Sequence, residues 1–100
     1  MEKKIYETKL KNKDENKVVK TGKEDVNILF LHEPNIVGPR SEFTGLPIWV
    51  GRTTASANGI EAVAQCFTFE PYQYSQARIV SAGRLLKKLG LPTDLTEQVK

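Results

Sequence analysis

Only one stretch of this sequence, Tyr72 to Leu89, carries a clear helical pattern over several turns. Pro71 stands near its first turn, Lys87 and Lys88 lie in its last, and Gly90 follows where helices commonly end on a left-handed residue. The apolar runs ahead of it are short and bounded by turn-forming residues, so they read as strands. One long C-terminal helix set against several short strands specifies an α+β domain: an antiparallel sheet of four or five strands with the helix covering one face. Leu91-Pro92 breaks the chain, and Asp94 with Glu97 three residues later can open a short terminal helix.

Val26 to His32 is the clearest strand ahead of the helix, a short apolar run bounded by Asp25 and Pro34. Residues 33–47 read as a loop, because Pro34, Gly38, Pro39, Gly45 and Pro47 punctuate them too densely for a continuous helix or an interior strand. Phe43, Leu46 and Trp49 imply that this loop folds back onto the body. Two readings compete over Ile48 to Phe69. In the first, Asn58-Gly59 makes a type I′ turn, and the register sets Val50 opposite Phe67, Ile48 opposite Phe69 and Thr54 opposite Val63. Large apolar residues then share one face, while Gly51, Thr53, Ala55, Ala62 and Ala64 share the other. In the second, Asn58 caps a helix, Glu61 closes a capping box, and Ile60, Val63, Ala64 and Phe67 recur at helical spacing. The hairpin is preferred because it accounts for both flanks at once.

The basic residues are divided along the chain. Eight of the eleven lysines lie in the first 23 residues, and all four arginines come after position 39. Residues 1–25 read as a lysine-rich arm or an edge hairpin, with Tyr6, Thr8 and Leu10 on one strand, turn residues from Asn12 to Asn16, and Val18-Val19 on the return; residues 26–100 form one globular domain. The first 25 residues hold six acidic side chains against eight lysines, so their excess is small. The whole chain carries a net charge of +3, which permits a polyanionic partner without demanding one. Its longest strongly apolar run, Ile28-Leu29-Phe30-Leu31, falls far short of the roughly 20 residues of a membrane span. No apolar signal region follows Met1, and the lone Cys66 cannot form an internal disulfide; together these favour a cytoplasmic protein without a membrane contact.

Catalytic chemistry has few supports in this inventory. There is one histidine and one cysteine, with no CxxC, HExxH, glycine-rich phosphate loop or GxSxG, so no metal or cofactor is expected and the chain reads as a non-enzymatic binding protein. His32 and Cys66 could meet as a base and nucleophile, but an ordinary strand-end histidine and a small buried thiol explain them as well. Within the helix, Tyr74, Ile79, Ala82, Leu85, Leu86 and Leu89 form an apolar stripe from whose middle Arg78 projects. That arginine either snorkels outward or reaches an anion at the edge of the core. The opposite face gathers Arg84, Lys87 and Lys88 with Ser81 and Gln76, a shape suited to a phosphate backbone.

The leading expectation is therefore nucleic-acid binding through Arg40, Arg52, Arg84, Lys87 and Lys88, with Trp49 and Tyr72 as stacking surfaces. Trp49 and Arg52 are expected on opposite faces of their strand. The alternative is a protein-interaction module, an inhibitor or adaptor, whose contact patch is the 33–47 loop with Trp49. The sequence leaves the oligomeric state open.

Overall fold

The computed structural model describes residues 10–67 and 70–100, and in them four antiparallel strands follow one another as a meander, β1-β2-β3-β4. They are β1 (Lys13–Val19), β2 (Val26–Val37), β3 (Trp49–Ala57) and β4 (Ile60–Phe67). The helix α1 (Tyr74–Lys88) crosses one face, and a short 3-10 helix, Thr93–Val99, closes the chain. No helix among the described residues is long and apolar enough to cross a membrane.

The Asn58-Gly59 turn is formed, with φ of 53° and 76° at its two residues, the positive values a type I′ turn requires. Thr54 pairs with Val63 as the turn dictates. Further along, the register departs from expectation: Trp49, not Val50, lies opposite Phe67, because β3 carries an extra residue between Trp49 and Arg52. Gly51 supplies the bulge with a φ of 91°. The extra residue has a second consequence. Trp49 pairs with Phe67 and Arg52 with Gln65, positions of equal parity on β4, so Trp49 and Arg52 fall on the same face and not on opposite ones. Phe69 lies outside the described residues.

Two loops read from the sequence are partly strand. β2 continues through Pro34 to Val37, and Pro34 is tolerated because the register with β3 shifts between Glu33 and Val37, leaving its missing N–H without a ladder partner. At the other end, Lys13 to Asn16 are not a turn but the first half of β1, paired with Leu29 to His32. The companion strand expected around Tyr6 and Thr8 lies outside the described residues.

The core forms between α1 and the sheet face made of small residues. Thr53, Ala55 and Ala57 from β3 and Ala62 and Ala64 from β4 are all buried, and their short side chains let Ala82, Leu85 and Leu86 come close. Val19, Val26, Ile28 and Phe30 fill the half of the core toward β1, with Val99 of the 3-10 helix. Ser81, assigned from the sequence to the outer basic face, is fully buried. Its hydroxyl donates to the Ala77 carbonyl at 2.7 Å, so it enters the core without an unpaired group. The helix ends as its sequence indicates: Leu91 N donates to Leu86 O and Gly90 N to Lys87 O around Gly90 at φ 74°, a Schellman motif.

Candidate functional site

Three features could carry function: a buried polar network, a protruding hairpin, and the basic residues at one sheet edge. The network begins at His32, which the alternation of β2 turns inward under α1 and leaves fully buried. Its Nε2 is 2.7 Å from Glu15 Oε1, and Arg78 Nη1 donates to the same oxygen at 2.8 Å. A carboxylate can only accept, so the proton sits on Nε2 and Nδ1 accepts from the Thr53 hydroxyl at 2.7 Å. The Tyr72 hydroxyl touches Thr53 Oγ1 and lies 3.3 Å from Arg52 O, donating into that pair of acceptors. Arg78 Nε donates to Val99 O at 2.9 Å, which ties the C-terminal turn to the same cluster.

The electrostatics of this cluster follow from burial and pairing. Burial pushes the His32 pKa below its ordinary value; the Arg78 and Lys13 charges add to this and the Glu15 carboxylate opposes it. For Glu15, burial alone would raise the pKa, but hydrogen bonds from Arg78 and His32 and the Arg78 charge outweigh it and hold the carboxyl below its ordinary range. The Tyr72 hydroxyl is pushed up to about 12, chiefly by burial. No buried side-chain nitrogen or oxygen among the described residues lacks a hydrogen-bond partner. The anion that Arg78 meets is the chain's own Glu15. His32 and Cys66 do not meet: the thiol donates to the Phe67 and Glu70 carbonyls, and burial raises its pKa.

The second feature is the β2–β3 hairpin, whose ladder continues beyond the two strands; Phe43 does not fold back onto the body, whereas Pro47 is buried and Leu46 half-buried. Gly38 N donates to Trp49 O, Ile48 N to Pro39 O and Ser41 N to Leu46 O, each within 2.9 Å, and Arg40 bridges to Pro47. Its tip is tied by its own groups. Gly45 N donates to Ser41 O, the Ser41 hydroxyl accepts from Phe43 N and Thr44 N, and Arg40 Nη1 donates to Gly45 O at 2.7 Å. On that tip Phe43 is 98% exposed. Trp49 sits at the base, where its indole lies flat enough on Gly38 that a Cβ there would come within 2.7 Å of Cδ1.

The basic residues proposed for phosphate contact occupy two separate parts of the surface. Arg40 is on the arm and Arg52 at its root, where Arg52 Nη2 donates to Glu33 Oε1 at 2.9 Å. Arg84, Lys87 and Lys88 are exposed along the helix beside β4. β4 is an edge strand, and two of its carbonyls are taken by these side chains: Arg84 Nη1 donates to Val63 O at 2.8 Å and Lys88 Nζ to Glu61 O at 2.7 Å. Among the described residues the Lys87 side chain makes no hydrogen bond or ion pair. At the opposite edge the Gln98 amide exchanges two bonds with the Lys20 backbone, at 2.8 and 2.9 Å, in the manner of a neighbouring strand. Tyr72 is not presented for stacking; its ring lies on Gly51 and its hydroxyl is inside the network.

Sequence reasoning missed Glu15, and it read Phe43 as part of a loop folded back onto the body. Glu15 stands in a run of charged residues and is distinguished only by the strand alternation that turns it, with Lys17 and Val19, toward the helix side. Phe43 has a weak signal: an aromatic between Glu42 and Thr44 in a turn-rich segment has no same-face apolar partner in its neighbourhood. No family model, curated protein or solved structure matches this chain.

Proposed function

We propose that this chain is a protein-binding module, an inhibitor or adaptor, and that the β2–β3 arm is its contact element. The observation that carries the reading is Phe43, 98% exposed on a tip that its own hydrogen bonds hold in shape. Aromatic side chains dominate the energetics of protein interfaces, and a tip already ordered in the free state loses little conformational entropy on binding. Val37 and Ile48, each about half exposed on the arm, extend the apolar contact behind it. Arg40 and Glu42 add charges of both signs beside the tip, a rim suited to a protein more than to a uniform polyanion.

The nucleic-acid reading draws on the exposed Arg84, Lys87 and Lys88 on the last turns of α1. Two of those three already donate to β4 carbonyls, and Arg40 and Arg52 lie on a different part of the fold. One experiment separates the two. Affinity capture from the native host is run with the wild-type chain, with Phe43→Ser, and with Arg84→Ala/Lys87→Ala/Lys88→Ala, followed by titration of the captured partner at two salt concentrations. A protein partner should bind the wild type and the triple variant alike and lose about 30-fold or more in affinity for Phe43→Ser, the loss of one aromatic anchor. Steeply salt-dependent binding of DNA or RNA that is lost in the triple variant and kept by Phe43→Ser would overturn the proposal.

A further inference from the structure

Among the described residues no helix lies over the face of the sheet turned away from α1, and that face carries exposed apolar side chains set among polar ones such as Asp14, Asn16, Ser56, Glu61 and Gln65. Leu29 and Leu31 of β2 are 53% and 42% exposed, Val63 and Phe67 of β4 are 37% and 66% exposed, and Val18 of β1 is 53% exposed. Thr54 lies between Leu31 and Val63 in a continuous cross-strand row. A sheet face that exposes this many large apolar side chains marks an interaction surface. Side chains occupy part of each edge, Arg84 and Lys88 at two carbonyls of β4 and Gln98 at Lys20 beyond the end of β1, which favours the face over the edges as the route of association.

We infer that this face packs against the same face of a second copy of the chain, forming a two-sheet sandwich. Three observations select a second copy as the occupant. One charge pair on the face complements itself: Glu33 and Arg52 are cross-strand partners on the two central strands. A twofold axis running along the strands between β2 and β3 therefore sets each Glu33 against the other copy's Arg52, turning two ion pairs into a four-charge ring. The same operation sets Leu31 against Thr54, Leu29 against Ser56, Asn16 against Glu61 and Asp14 against Val63 of the second copy, so no like charges meet in these rows. The size also fits. Four strands about 4.8 Å apart and rising about 3.4 Å per residue offer roughly 600 Å² before side-chain relief is counted, near the roughly 800 Å² that a standard interface takes from each partner. Aligned packing of two such sheets carries both arms out at the same end of the sandwich, so the dimer presents two Phe43 tips; the inference itself does not depend on what the arm binds.

Sedimentation equilibrium of the purified full-length chain, from low to high micromolar concentration, tests the proposal without any other partner present. The wild type should pass from its 11.2 kDa monomer to a species of twice that mass. Leu31→Glu, an exposed position that leaves the core intact, should remain monomeric throughout. Arg52→Glu alone should weaken association by at least about 100-fold, because it sets carboxylates against carboxylates across the twofold. Glu33→Arg/Arg52→Glu restores the opposite signs both within each sheet and between the two, and should recover most of the wild-type constant. Circular dichroism checks that each variant keeps its fold. A wild type that stays monomeric at high micromolar concentration assigns the face to a different protein and overturns the proposal. So does a dimer that survives Leu31→Glu, or a double charge swap no better than Arg52→Glu.

Discussion

Gly51 joins the bulge of β3 to the buried network, and Gly51→Ala measures that connection. The glycine holds a φ of 91°, and a Cβ there would meet the Tyr72 ring, with Cε2 at 2.8 Å and Cδ2 nearer still, and the Pro34 carbonyl at 3.3 Å. Two costs follow. Forcing an L-residue into that backbone region costs about 1 kcal/mol. The ring must also retreat by about half an ångström or more to restore van der Waals contact, which draws its hydroxyl away from Thr53 and the Arg52 carbonyl. Weakening two such bonds adds about 2 kcal/mol, for a total near 3 kcal/mol. Urea denaturation at neutral pH reads this directly, and in a domain of this size the corresponding fall in Tm is about 15 °C. Gly22→Ala is the control, because Gly22 has a φ of 88° with nothing within 4 Å of the added Cβ. It should lose the backbone part alone, about 1 kcal/mol. If the two alanine variants lose the same stability, the approach of Tyr72 to Gly51 carries no energy and the account of the bulge is wrong. Combining Gly51→Ala with Tyr72→Ala should cost less than the sum of the two single changes, since the clash is then gone.

Stability should fall on the acid side of neutrality. The folded pKa of His32 is depressed by burial, so below the unfolded value of about 6.5 the unfolded chain binds a proton that the folded chain resists, and stability declines until the folded value is passed. The depressed pKa of Glu15 adds a further loss as pH drops below 4.5 toward its own folded value. A urea midpoint that stays level between pH 7 and pH 4 would contradict both assignments. At the β4 edge, Arg84→Ala/Lys88→Ala frees the Val63 and Glu61 carbonyls. Both side chains are exposed, so the stability loss should be below about 1 kcal/mol, while light scattering at high concentration should show faster aggregation than the wild type. Equal aggregation of the two proteins would mean that these bonds do not guard the edge.

Much of the architecture was legible where local chemistry decides it. The Asn58-Gly59 turn needs positive φ at both residues, which few dipeptides accept, so it announces itself and fixes the Thr54–Val63 pairing beside it. The α1 terminus is equally local, because Gly90 takes the left-handed position and the Schellman bonds close within six residues. Between the turn and the bulge, the placing of Thr53, Ala55, Ala62 and Ala64 together on one hairpin face, where all four are buried, followed from alternation. Which of the two faces α1 covers did not, and the helix lies on the alanines because short side chains admit a close approach while Ile28 and Phe30 supply the bulk.

What the tertiary structure decided is held by residues far apart in the sequence. Glu15, His32, Thr53, Tyr72 and Arg78 converge from β1, β2, β3, the loop ahead of α1 and α1 itself, and only Arg78 is unusual among its own neighbours. Arg78 marked a place needing an anion, yet the anion 63 positions away could be found only once β1 was paired with β2. The bulge at Gly51 moved Trp49 to the face of Arg52, and the pairing beyond Pro34 turned a loop into an arm with Phe43 at its end. Turn chemistry and capping act over a few residues and are written in the sequence; register shifts, the face a helix chooses and the partners of buried charges depend on long-range packing, so they exist only in the folded chain.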